Sequence, residues 1–135
     1  MQYHVEVSEN RLKDYRIAFS SATAKVIENE TYETVIAVKD INSLDTYIYP
    51  VLYGIATKLK KYGVVDIAYN KIFLETKTKK SKFKAGVIIA SYVGDDYFKE
   101  ILSDSRATDI IFVTDTKERL QEYLSHNNSI ELNDL

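Results

Sequence analysis

The run Lys84–Val93, "KAGVIIASYV", constrains this chain more than any other segment. It is too short to cross a bilayer and is apolar on both alternating faces. A strand of that kind is stable only with neighbours on each edge and a covering layer on each side. The chain therefore has to build a sheet with this strand near its centre.

The flanking segments supply candidates for both. Tyr3–Val7, Tyr32–Lys39 and Asp109–Thr114 ("DIIFVT") are short, β-branched or alternating, and read as strands. Between Asn10 and Asn29, residues Leu12, Tyr15, Phe19, Ala22 and Val26 recur at helical spacing, with Asn10 suited to the N-cap. Val51, Leu52, Ile55, Leu59 and Tyr62 predict a second helix over Tyr49–Tyr62, with Pro50 in its first turn and Gly63 as its left-handed cap. Val64–Tyr69 and Ile72–Thr78 read as strands turning at Asn70-Lys71. Asp95–Ser103 and Lys117–Ser125 complete the helices. The predicted order is β-α-β-α-β-β-β-α-β-α: one α/β domain over residues 1–126, a single mixed sheet with helices on both faces, and a loose polar tail over 127–135.

Composition narrows the chemistry. There is no cysteine among the 135 residues, which removes disulfides, thiol catalysis and zinc–thiolate sites. His4 and His126 lie near opposite ends with no spaced His partner, which argues against a zinc site. Four glycines form no phosphate-binding loop, and no Gly-x-Ser-x-Gly elbow is present. "MQYHVEVSEN" turns polar at once, so the expected location is cytoplasmic and no membrane association is expected.

The formal net charge is −2, but it is unevenly distributed. Lys58–Lys84 holds nine lysines against Asp66 and Glu75, which leaves the remainder strongly acidic. "KTKKSKFK" concentrates Lys77, Lys79, Lys80, Lys82 and Lys84 between two predicted strands, where a projecting β-hairpin tip would follow phosphates. Lys58, Lys60 and Lys61 at the preceding helix end extend the same basic surface. The favoured expectation is a nucleic-acid-binding protein, for DNA or RNA, with no cofactor. Against it stands the reading in which the lysines only guard a sheet edge from aggregation.

A two-residue turn at Asn70-Lys71 sets Asp66 opposite Glu75, with Lys77 on the same face. In this respect "VDIAYNKIFLETK" resembles the PD-(D/E)xK nuclease core found in archaeal Holliday junction resolvases. The resemblance implies Mg²⁺ held by Asp66 and Glu75, with Lys77 as the catalytic lysine. Val65 stands where that family usually has proline. The element order of the first ~90 residues is also similar to Alba-type chromatin and RNA-binding proteins, although the Lys-Lys pair expected after the first strand is replaced by "SENR". A third expectation is an assembly subunit, binding a protein partner or a second copy through its tyrosine-rich helix. Asp40, Asp95, Asp96 and Asp115 close three predicted strands. They read as helix caps, or as a second site if those strands are parallel neighbours.

Overall fold

A computed structural model describes residues 1–45 and 47–133; the last two residues of the predicted tail lie outside the described residues. Seven strands form one mixed sheet in the order β3-β4-β2-β5-β6-β1-β7. They are β1 (Gln2–Val5), β2 (Glu33–Val38), β3 (Val64–Ile67), β4 (Asn70–Glu75), β5 (Gly86–Ser91), β6 (Ala107–Val113) and β7 (Ile130–Leu132). Every neighbouring pair is parallel except β3 with β4. β5 lies at the centre, fully buried along its length, as its apolar sequence requires.

Alternation along the strands divides the core into two layers. On one face Ile36, Val38, Val87, Ile89, Ile111 and Val113 meet α1 (Arg11–Glu28), α2 (Ile48–Val51) and α3 (Ala56–Tyr62). On the other face Val35, Ala37, Ile88, Ala90, Ile110 and Phe112 meet α4 (Asp95–Leu102) and α5 (Lys117–His126). Asn10 caps α1, its side chain accepting from the Lys13 amide, as its sequence position predicts.

Four expectations give way to specific packing. The helix predicted over Tyr49–Tyr62 is split into α2 and α3, with Gly54 between them at φ +92°. Gly63 does take the left-handed cap after α3, at φ +76°. Asp95 and Asp115 are not the caps of their helices. Gly94 and Thr116 hold those positions, and the Thr116 side chain accepts from the Arg119 amide. Nor is the C-terminal segment wholly loose, since Ile130–Leu132 pairs in parallel with β1 and extends the sheet.

The β3–β4 register also differs. The turn falls at Ala68-Tyr69, because Ile67 pairs with Asn70 and Asp66 with Lys71. Asn70 is unavailable for a turn. It is 4% exposed, accepts from Thr34 Oγ1 at 2.8 Å and donates to Thr23 Oγ1 at 3.1 Å. This register sets unlike charges opposite each other, whereas the expected one opposes two carboxylates.

Of the four glycines, only Gly86 lies against neighbouring backbone. A Cβ there would lie 1.9 Å from the Glu33 carbonyl oxygen, and its φ is +155°. Gly86→Ala is expected to cost more than about 3 kcal/mol, because β2 and β5 would have to separate where the core begins. Urea unfolding measures it; a change below about 1 kcal/mol would contradict the fit.

Candidate nucleic-acid interface

The lysine-rich segment is not a hairpin tip. β4 and β5 run parallel, and β2 lies between them. Residues 76–85 therefore form a crossover that leaves the carboxyl end of β4 and returns to the amino end of β5. In doing so they traverse the sheet on the α4/α5 side, a span of roughly 20 Å for strands of this length. Phe83 pins the crossover to the core: it is 3% exposed and meets Phe73 edge to face at 6.1 Å between ring centroids.

The second anchor is an ion pair. Glu75, 2% exposed at the end of β4, accepts from Nη1 and Nη2 of Arg106, each at 2.9 Å. It also accepts from the Ser81 amide at 3.0 Å and the Ser81 hydroxyl. Asp104 takes further Arg106 hydrogens at 2.7 and 3.0 Å. Arg106 also lies over the Phe83 ring, 5.1 Å from its centroid. Burial pushes the Glu75 carboxyl up, but the hydrogen bonds from Arg106 and Ser81 outweigh it, and the net shift is below the usual carboxylate range. The Asp104 carboxyl is likewise held low, chiefly by Arg106.

With Glu75 satisfied in this way, the metal pair implied by the nuclease resemblance does not form. Asp66 shares its sheet face with Glu75 but pairs with Lys71, and so lies ~13 Å further along β4. Lys77 sits beyond the strand, at the carboxyl edge of the sheet. The three residues are not a cluster.

The lysines, by contrast, are displayed. Lys77, Lys79, Lys80, Lys82 and Lys84 are all exposed, and none of them makes an ion pair among the described residues. Lys80 lies 4.7 Å over the Tyr97 ring, and Lys71, on the same sheet face, lies 5.8 Å over Phe73. Lys58, Lys60 and Lys61 are elsewhere. They project from α3, which packs its Ala56 and Leu59 into the opposite layer, and Lys60 is paired with Asp45 at 2.7 Å. The two groups of lysines do not form one surface.

At the amino edge of β2 and β4, Tyr32 and Tyr69 are exposed with their rings 6.3 Å apart. They border a shallow cleft of about 300 Å³ that Lys71 also lines. At the opposite edge, β2, β5 and β6 are parallel neighbours and bring their strand-end acids to one rim. Asp95, Asp96 and Asp115 share an open cleft of about 700 Å³ with Lys39, Lys77 and Arg119. Asp95 pairs with Arg119 at 3.3 Å, and Asp40 caps a turn by accepting from the Ser43 amide. Acids and bases are balanced there.

Sequence reasoning missed Arg106, although a signal existed. Only four of the eighteen basic residues are arginine, and a buried carboxylate calls for the forked donor that lysine lacks. No helix among the described residues is long and apolar enough to cross a membrane. No family model, curated protein or solved structure matches the chain.

Proposed function

We propose that this protein binds single-stranded nucleic acid along the crossover 76–85, with phosphates following Lys77, Lys79, Lys80, Lys82 and Lys84 and a base stacking at Tyr69. The observation that carries this reading is the set of five exposed ammonium groups, with no ion pair among the described residues, on a segment clamped at both Glu75 and Phe83. Edge protection alone requires no such set, because the crossover lies over the sheet and does not border it. A clamped cationic strip loses little conformational entropy when a polyanion docks, and each phosphate it neutralises releases counterions. Tyr32 and Tyr69 favour single strands, since a base must be unstacked to reach an exposed ring.

Fluorescence anisotropy with 20-mer DNA and RNA, single- and double-stranded, tests the reading. Five contacts predict a log–log salt slope of about −3.5 on single strands. Binding that ignores salt, or no binding at 50 mM salt, would reject it. Tyr69→Ala, 70% exposed in the wild type, is expected to weaken single-strand binding about 10-fold while duplex binding and stability stay unchanged. Equal losses on both substrates would remove the stacking role.

A further inference from the structure

The parallel pairing of β1 with β7 sets His4 directly beside Glu131. Glu6, two residues beyond His4, points to the same side. One donor atom from each of the three side chains lies within 4.8 Å of the others. None of the roles described above uses these residues.

Two observations set this cluster apart from an ordinary group of surface acids. His4 is 5% exposed, and its Nδ1 lies 2.8 Å from Ser129 Oγ. No hydrogen-bond partner meets its Nε2 among the described residues. In the tautomer whose Nδ1–H donates to Ser129, Nε2 keeps an unused lone pair, the arrangement that orients metal-ligating histidines. Second, a carboxylate oxygen of Glu6 and one of Glu131 lie within 4.8 Å of each other. Two carboxylates held that close repel each other, and a cation between them relieves the repulsion.

We infer that His4, Glu6 and Glu131 form a site for one divalent transition-metal ion at the β1/β7 edge. One imidazole nitrogen and two carboxylate oxygens suit Zn²⁺ or Mn²⁺ better than Ca²⁺ or Mg²⁺, which prefer all-oxygen shells. Three protein donors leave further coordination positions for water or an exogenous ligand. The ion would also staple β7, a three-residue edge strand, to the body of the sheet.

Calorimetric titration of the untagged full chain with ZnCl₂ and MnCl₂ tests this, together with Mn²⁺ broadening of backbone amide signals. The expected result is one ion per chain, broadening centred on residues 4–6 and 130–132, and a raised Tm in saturating metal. Glu131→Gln and Glu6→Gln, both on exposed side chains, should each fold normally and weaken binding 10-fold or more. Each should also keep or raise the metal-free Tm, because the opposed carboxylates are gone. His4→Gln should abolish binding; if that buried change unfolds the chain, the two glutamate variants decide. Absence of stoichiometric binding, affinity unchanged in both glutamate variants, or broadening centred elsewhere would overturn the site.

Discussion

Replacing Arg106 with alanine is expected to destabilise the protein by about 3–5 kcal/mol, which lowers Tm by roughly 10 °C or more for a chain of this size. The reason is the residue left behind. Glu75 would remain buried without the guanidinium that offsets its desolvation, and its two hydrogen bonds from Ser81 do not replace a charge. Arg106→Lys should fall between the two, since an ammonium group restores charge without the paired contacts. Glu75→Gln should cost less than Arg106→Ala, because Arg106 keeps Asp104 and is itself partly solvated.

The same cluster predicts the acid limb of stability. Glu75 and Asp104 both have folded values held below the unfolded ones. Their contribution is therefore complete above the ordinary carboxylate range and lost as pH falls through the folded values. Wild-type stability should decline steeply below pH 4, and Glu75→Gln should flatten that decline. Chemical denaturation from pH 3 to 7 measures both. A pH profile unchanged in Glu75→Gln would mean that the ion pair is not the anchor described.

The second large effect concerns binding. Changing Lys79, Lys80 and Lys82 together to glutamine should reduce the salt slope on single strands by about 2, and lower affinity at 50 mM salt by about 100-fold or more. All three side chains are exposed and none is in an ion pair among the described residues, so the fold should be unaffected. The matched control is Lys58, Lys60 and Lys61 changed to glutamine. Those lysines stand behind the other layer, and their loss should alter affinity less than 2-fold. Anisotropy titrations over a salt series compare the two. Similar losses in both variants would point to a diffuse charge effect with no defined strip.

Much of the fold was legible because single strands and helices announce themselves locally. The two-faced apolar run of β5 demanded a central position, and it occupies one. The α1 helix with Tyr15, Ala22 and Val26 inward, the Asn10 cap and the Gly63 cap follow from side-chain chemistry within a few residues, although Leu12 of the predicted stripe is exposed and Ala18 is buried. Pairing order was not legible in that way. Nothing within "LETKTKKSKFKAG" says that β2 inserts between β4 and β5, and that insertion turns an expected hairpin into a crossover. Asn70 suits a turn by propensity, yet Thr34 and Thr23 draw it into the interior. Both partners are remote in sequence, so the competing interaction has no local signature. β7 was obscured by its polarity, since an edge strand needs no apolar pattern when only one of its sides is paired. For the interface, the lysines stood out in the sequence, while Arg106, whose bonds to Glu75 and the Phe83 carbonyl help anchor the segment that carries them, reaches Glu75 across 31 positions.

Lysine footprinting addresses the interface most directly. The free protein and its complex with a single-stranded oligonucleotide are acetylated briefly, and modification is read at each lysine by mass spectrometry. Protection confined to Lys77, Lys79, Lys80, Lys82 and Lys84, with Lys71 partly shielded and Lys58, Lys60 and Lys61 as reactive as before, is the predicted pattern. Protection of the α3 lysines with the crossover lysines left reactive would contradict it.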